Sequence, residues 1–568
     1  MDPISGVYPP GGPIESTRYM DPPGREIPAD VWYEIVIRLR APADVLSLLS
    51  TCRSLHAMLR EKSTWVALLR AQCYHRSIFF PSYRIDGMSI QRLRHACRSP
   101  FMFAQLLEAN SSLSSDQPLL EPSSKTYLKL GKPAVFYDTA FLVPGGRFLV
   151  QSRRGHLEVW DLGPPDAPVL AEPILMGESS TKPDAATHEM CDDKLAVRMV
   201  GDDTLRVAVA SGYTTVNVYE VKPGSAKPTL RVIGTLVIDV DAPWFALVDW
   251  DMRCRDLHLT DNAVVIEITN FRHPVVWDFA AGWYALGPER PFPIVYHQRM
   301  VVGCGTVIET SISNDILVWS IAESELSAQP IIDGGSFTLW QVMPLFFNAP
   351  FKQDYHQLEV QPDEVHDTSE AFSTQHHVHF DLIYRQGGYS AIPPDPFTLY
   401  GSRYTLSIAQ DDHLDATPIS RYTLRRRTNF HLPPMQGVHL ASHGPPAFPY
   451  TRGLMVTRRG CDRHAAFLWK GLCTYSLTPP SKGTLTGRHL MGGEGSEEQE
   501  VKSISNDVPV EAALTCLVGV HTTPDLGVCM ASGRVYGGRT RVEGRRAMSF
   551  VSDFLPPWKG FSTRGTLT

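Results

Sequence analysis

The sequence predicts a chain of mixed class: a small all-α unit at the N-terminus followed by a large all-β domain. Three observations predict it. The stretch from Glu26 to Leu69 is dense in apolar residues at helical spacing. From about Tyr127 the apolar residues instead alternate in short runs broken by Gly, Pro, Asp and Asn, as in strands joined by tight turns. The 45 Pro and 42 Gly among 568 residues favour many turns over long helices.

That length is enough for more than one domain. A hydrophobic share of 43% and a charged share of 20% are ordinary for a globular protein, and the net charge of −7 gives no general attraction for nucleic acid. Ten Cys are scattered without a Cys-x-x-Cys pair, which fits reduced thiols in the cytoplasm or nucleus. The opening "MDPISGVYPPGGP" has neither the basic nor the apolar region of a signal peptide, and no run of about 20 apolar residues predicts a membrane span. Asn110-Ser111-Ser112 matches a glycosylation sequon by chance in a polar loop.

Residues 1–24, rich in Pro and Gly and without periodicity, read as a disordered leader. Pro28 then suits a helix start, where its missing N–H is not needed. Val31, Ile35 and Leu39 follow at four-residue spacing, with Trp32 and Val36 beside them. Pro42 opens a second helix, apolar on more than one side through Val45, Leu46, Leu48 and Leu49. A third carries Cys52, Leu55, Met58 and Leu59, and a fourth, capped by Ser63, carries Trp65, Leu68 and Leu69. A unit this small buries well under two-thirds of its surface by itself, so the excess apolar surface predicts a partner. Residues 71–110 read as a helical connector of two helices, one capped by Ser89 and one opening at Ser99-Pro100. The Ser/Pro-rich stretch 111–126 reads as a linker.

Residues 25–70 resemble the F-box. The family pattern of Leu-Pro-x-Glu, an aliphatic helix, a Pro-x-Asp-Leu-Leu turn, a Cys-Arg pair and a late Trp is matched by Ile27-Pro28-Ala29-Asp30, Ile35 and Leu39, Pro42-Ala43-Asp44-Val45-Leu46, Cys52-Arg53, and Trp65. Thr51 and Thr64 stand where aliphatics are usual, and Leu55 where Trp is usual. The resemblance implies docking on the Skp linker protein and, through it, on a cullin-RING ubiquitin ligase. Pro28, Ile35, Leu39, Pro42, Val45, Leu46, Leu48, Cys52, Leu55 and Trp65 are the residues it implies for the dock.

In the β region, "RFLVQSRRGHLEVWDLG" from Arg147 reads as strand, turn, strand, with Trp160 closing the second strand. The form returns with Tyr219, Trp277 and Trp319 in the aromatic place, at intervals of 59, 58 and 42 residues. Such a unit, lengthened by insertions, approximates a four-stranded propeller blade. Residues 127–555 thus read as a six- or seven-bladed β-propeller, with another all-β repeat or a pair of β-sandwiches as the competing readings. Strands are also read near His376–Gly387, Arg403–Gln410 and His464–Leu477, and in the last segments before residue 553. A propeller must zip its last blade to its first, and residues 127–143 are placed to supply a strand for that. The acidic stretch 492–507 reads as a loop and 556–568 as a tail. The region resembles a degenerate WD-repeat propeller, as found behind the F-box in fungal proteins, although the Gly-His half of that repeat is absent.

No phosphate loop, Gly-x-Ser-x-Gly elbow or His-Glu-x-x-His is present. His377, His379 and Asp381 share one face of a strand, but adjacent strand positions seldom converge on an ion. Arg425–Arg427, Arg458-Arg459 and the run Arg534, Arg539, Arg541, Arg545, Arg546 read chiefly as solvated turns and strand edges. The sequence therefore points to a non-catalytic adaptor with no cofactor or metal, whose partners are Skp, a cullin-RING ligase and a protein substrate. A scaffold outside any ligase, or a propeller enzyme, is the alternative.

Overall fold

The computed structural model describes residues 27–39, 42–110, 119–130, 139–153, 156–180, 193–211, 215–239, 254–268, 273–287, 300–303, 305–310, 316–321, 329–330, 336–338, 365–373, 377–385, 397–408, 422–435, 439–441, 452–459, 469–476, 510–511, 513–517, 527–529, 531–539 and 548–558. The expected leader, the acidic loop at 492–507 and most of the tail lie outside these residues.

Among the described residues five α-helices come first: α1 (Ala29–Arg38), α2 (Pro42–Leu48), α3 (Arg53–Met58), α4 (Lys62–His75) and α5 (Ile90–Ala109). Pro28 stands at the cap of α1, and Pro42 is the first residue of α2. Ser89 caps α5 by accepting the Arg92 N–H at 3.3 Å. Glu61 rather than Ser63 precedes α4, and the Ser63 hydroxyl donates to the Glu61 carboxylate instead.

The two helices expected around Ser99-Pro100 are one 20-residue helix running through Pro100. An interior proline costs a helix roughly 3 kcal/mol. Burial of Cys97, Pro100, Phe103 and Leu107 offsets that cost, with Phe103 against Phe554 at 6.1 Å between rings. Tertiary packing here overrides a sound local stop signal.

Seven sheets of antiparallel strands follow in chain order among the described residues. The first holds Thr139–Leu142, Phe148–Arg153, His156–Asp161 and Ile174–Ser180; the second Lys194–Val200, Thr204–Ser211, Thr215–Val221 and Arg231–Asp239. The third holds Cys254–Leu259, Ala263–Ile268, Val275–Asp278 and Trp283–Leu286; the fourth Met300–Gly303, Thr306–Thr310 and Ile316–Ser320. The fifth holds Val365–Ser373, His377–Arg385, Phe397–Ile408 and Tyr422–Met435; the sixth His439–Ala441, Arg452–Arg459, Trp469–Ser476 and Ala513–Leu517. The seventh joins both ends of the β region. Gly527–Cys529, Arg534–Arg539 and Met548–Asp553 are completed by Ser124–Tyr127, with Ser124 opposite Asp553 and Tyr127 opposite Phe550.

The first strands of successive sheets lie side by side from the first sheet to the sixth, and the first strand of the seventh lies beside that of the first. Four sheets also gain a short strand at the outer edge. Ser336–Thr338 adds to the second, Gln329–Pro330 to the third, Val510–Glu511 to the fifth and Leu119–Leu120 to the sixth. The stretch expected to be a linker, 111–126, thus contributes strands to two sheets. Its sequence hides this because Ser124–Tyr127 is polar. It is held by pairing, by the Ser123 hydroxyl donating to the Asp553 carbonyl at 2.8 Å, and by the Lys125 ammonium 3.7 Å from the Phe550 ring centroid.

The repeated aromatic position has one structural meaning. Trp160, Tyr219, Trp277 and Trp319 all lie on the third strand of their sheets and are buried opposite an aliphatic of the second: Leu149, Val207, Val264 and Val307. Trp277 also closes over Gly234 of the preceding sheet, where a Cβ would sit 3.1 Å from the indole. The spacing is irregular because the segments between strands differ in length, not because the unit differs.

Arg534, read from sequence as part of a basic stretch, is fully buried. Its Nε donates to Asp553 at 2.9 Å, Nη1 to the carbonyls of Gly146 and Gly163 at 2.9 Å each, and Nη2 to those of Pro164 and Ala167 at 3.1 and 2.5 Å. A guanidinium without water needs all these acceptors. Arg534→Met leaves Asp553 buried without its ion-pair partner and five acceptors without their donor, and should lower the unfolding free energy by roughly 3–5 kcal/mol in urea titrations of the full chain.

Candidate protein-docking surface on the N-terminal helices

The helices share a core with the sheets. Val36, Val45, Leu59, Trp65, Leu68 and Leu69 belong to one apolar cluster with Leu142, Leu149, Trp160 and Leu162 of the first sheet and Cys529, Tyr536 and Val551 of the seventh. The Trp65 indole N–H donates to the Leu59 carbonyl at 2.7 Å, and the Arg94 guanidinium stacks on its ring at 4.9 Å. Most of the excess apolar surface predicted to need a partner is therefore covered by the chain itself.

Polar contacts fix the seam. Asp161 accepts from Arg147 at 3.0 and 2.7 Å and from Arg84 at 3.1 Å, and Arg147 also donates to the Pro81 carbonyl at 2.7 Å. Arg92 of α5 meets the buried Asp166 at 2.5 Å. The Phe79 N–H donates to the Pro144 carbonyl at 2.9 Å. Gly145 follows at φ +111°, and a Cβ there would meet the Ser82 hydroxyl at 2.2 Å. Burial alone would raise the Asp161 carboxyl, but hydrogen bonds and charge from Arg147, with help from the Gly163 N–H and Arg84, hold it below its ordinary value.

The residues that the F-box resemblance implies are divided by this packing. Val45, Leu55 and Trp65 are buried, as is Pro42. Leu39, Leu46 and Leu48 are half-buried against the shared core. Pro28, Ile35 and Cys52 face outward. Two further residues join them: Val31, 44% exposed, shares a face of α1 with Ile35 at 36%, and Ile27, 46% exposed, lies just before the Pro28 cap and outside the helix. The sequence signal for them was present, since α1 is apolar on more than one side. Periodicity does not say which side faces inward. Val36 does, and among the described residues Val31 and Ile35 are exposed.

The departures from the family pattern have local roles. The Thr64 hydroxyl donates to the Met58 carbonyl at 3.1 Å and that of Thr51 to the Leu48 carbonyl at 2.8 Å, tightening the ends of α3 and α2. Beside the helices a shallow groove is lined by Leu49, His56, Arg60, Ile90 and Arg94.

Other candidate chemistry is placed as follows. Burial pushes the Cys97 thiol up to about 12 and raises that of Cys73, so neither is a ready nucleophile. No group of three His, Cys, Asp or Glu among the described residues is arranged to hold a metal. His377, His379 and Asp381 lie on the second strand of the fifth sheet, and Arg425–Arg427 on its fourth. His376, Arg541, Arg545 and Arg546 lie outside the described residues. No described helix is long and apolar enough to cross a membrane.

No family model and no curated protein matches the chain. Among solved structures, the β-propeller domain of Cps50 (Swd1) from Myceliophteria thermophila is similar at 9% identity and a TM-score of 0.36, covering 76% of this chain and 99% of that one. The C-terminal WD40 domain of Sif2 is similar at 8% identity and a TM-score of 0.33, covering 76% and 99%. The WD40 domain of SCAP from fission yeast is similar at 8% identity and a TM-score of 0.31, covering 73% and 84%. Likeness this low leaves the architecture of this chain to be read from its own strand pairing.

Two outcomes check this site. Ile27→Asp, Val31→Asp and Ile35→Asp together should change the unfolding free energy by no more than about 1.5 kcal/mol, as three surface changes do, whereas Trp65→Ala should cost roughly 3–5 kcal/mol. The Asp161 value is depressed on folding, so its contribution is complete above the unfolded value of 3.8 and is lost as pH falls through the lower folded value. Unfolding free energy measured from pH 6 downward should therefore decline in the wild type, and more shallowly in Asp161→Asn, which starts lower.

Proposed function

We propose that this chain is a non-catalytic substrate-recognition adaptor of an SCF-type cullin-RING ubiquitin ligase. In this reading the N-terminal helices dock on the Skp linker, and the seven sheets close into a seven-bladed propeller that presents a protein substrate. The observation that carries it is the exposed pair Val31 and Ile35 on α1, with exposed Ile27 just ahead of the Pro28 cap, inside a helical unit whose order of Pro, Cys-Arg and Trp resembles the F-box. Covering two large aliphatics on one helix face and a third just before it favours binding, and a partner helix covers them most directly. Ring closure is supported by Ser124–Tyr127 completing the seventh sheet and by the neighbouring first strands. Catalysis by such an adaptor is by proximity: holding substrate and ubiquitin donor together lowers the entropic part of the barrier.

A second reading, a scaffold outside any ligase, is favoured by one observation. Val45 and Trp65, which the resemblance assigns to the dock, are packed into the core shared with the sheets. The same packing makes removal of residues 25–70 a poor test, since it would strip the cover from Leu142, Leu149 and Val551. The clean test keeps the full chain. Wild type should recover Skp and cullin in a pull-down from purified components, and the triple Asp variant of α1, folded by circular dichroism, should not. Equal recovery by both, or none by wild type, would replace the adaptor reading with the scaffold.

A further inference from the structure

The groove beside the helices runs between the end of α2, α3 with the turn that follows it, and the start of α5. Leu49 stands just past α2, His56 on α3, Arg60 just past α3, and Ile90 and Arg94 on α5. Its volume of about 610 Å³ is that of a ligand pocket, for which roughly 300–1,000 Å³ is usual. Its charge is one-sided. Two guanidiniums and an imidazole line it, and no carboxylate does. Around the same helices Arg84, Arg92 and Arg147 each meet a carboxylate. Among the described residues Arg60, Arg94 and His56 meet none.

Arg94 is held in place beforehand. Its Nη2 donates to the Leu59 carbonyl at 3.0 Å, and its guanidinium carbon lies 4.9 Å from the centre of the buried Trp65 ring. Its Nε has no acceptor. A side chain already fixed loses little rotamer freedom when a ligand binds. Arg60 is exposed, and its charge adds to burial in lowering the Arg94 guanidinium from its ordinary value. An anion seated between the two cancels that repulsion and offers acceptors to both forks.

The lining also selects among anions. Two guanidiniums balance the roughly two negative charges of a phosphorylated side chain, where a carboxylate brings only one. Leu49 and Ile90 beside them call for apolar atoms next to the anion, which a peptide segment has and a free ion lacks. An anionic membrane is gripped by clusters of about 4–8 Lys and Arg, and this groove has two in a chain of net charge −7. A second copy meeting the groove about a two-fold axis would set guanidinium against guanidinium.

We propose that this groove binds a phosphorylated segment of a partner protein, with the phosphate held between Arg60 and Arg94 and a neighbouring aliphatic side chain resting on Leu49 and Ile90. The site is separate from Val31 and Ile35 of α1 and does not rest on docking to Skp.

The test uses the full chain, without Skp or cullin, and the labelled peptide Gly-Leu-Ser-Leu-Gly with its serine phosphorylated, read by fluorescence anisotropy. Saturable binding is expected, at least tenfold weaker for the unphosphorylated peptide and at least tenfold weaker with Arg60→Glu. Arg231→Glu, which makes the same change of charge on the second sheet, should leave it unchanged. Equal binding of both peptides, equal loss with the two charge reversals, or no saturation up to millimolar peptide would overturn the proposal. So would displacement by inorganic phosphate at the peptide's own concentration, since the groove would then hold an ion and not a segment. Recruitment to phosphatidylserine vesicles that Arg60→Glu abolishes would overturn it in favour of a membrane. Should Arg60→Glu fail to fold, the two peptides on wild type decide the matter.

Discussion

The Arg534 guanidinium lies where the two ends of the β region meet. It is held by a carboxylate of the seventh sheet and by four carbonyls from the turns of the first, and it is fully buried. A buried cation of this kind is weak evidence for net stability, because desolvation opposes its attraction to Asp553. Its value is positional. The five donors of a planar group are satisfied only when the Gly146 and Gly163 turns stand at one distance and angle from Asp553. The first and seventh sheets are thereby set relative to each other, and the helices, which rest on both, inherit that setting.

The helices are consequently neither a tethered module nor a free one. Their inner faces complete the core under the first and seventh sheets, and Asp161 and Asp166 hold α5 and the segment before it through Arg84, Arg92 and Arg147. Exposed aliphatics remain at Val31 and Ile35 of α1 and at Ile27 just before it. If that patch carries a ligase, the angle between ligase and substrate surface is set by the core that Val36 of α1 shares with the first and seventh sheets. Proximity catalysis profits from a set angle, because less freedom is left to lose when the reacting groups meet.

Much of this was legible in the sequence. The helix starts at Pro28, Pro42 and Ser89 follow local chemistry, and the strand pairs around Trp160, Tyr219, Trp277 and Trp319 follow alternation and turn residues. Other features depend on contacts that no local pattern records. Ser99-Pro100 is a valid signal for a new helix, outweighed by packing such as that of Phe103 on Phe554, more than four hundred residues away. The polar strand Ser124–Tyr127 exists because Met548–Asp553 offers it an edge. The outward aliphatics on and just before α1 were half legible: the excess of apolar residues was plain, but its division between Val36 inward and Ile27, Val31 and Ile35 outward is decided by the sheets.

The strand Ser124–Tyr127 has a further consequence for how the protein is made. Its partner is separated from it by more than four hundred residues; the Ser123 hydroxyl reaches a carbonyl 430 positions along the chain. During synthesis the helices and the first sheet emerge early, while Cys529, Tyr536 and Val551, which finish their core, are still to be translated. Until the ribosome releases the end of the chain, Leu142, Leu149 and their neighbours wait uncovered, and closing so long a loop is slow. Exposed apolar surface of that kind is what chaperones bind, and truncation before Met548 removes Val551 from the core that the earliest-made part of the protein shares.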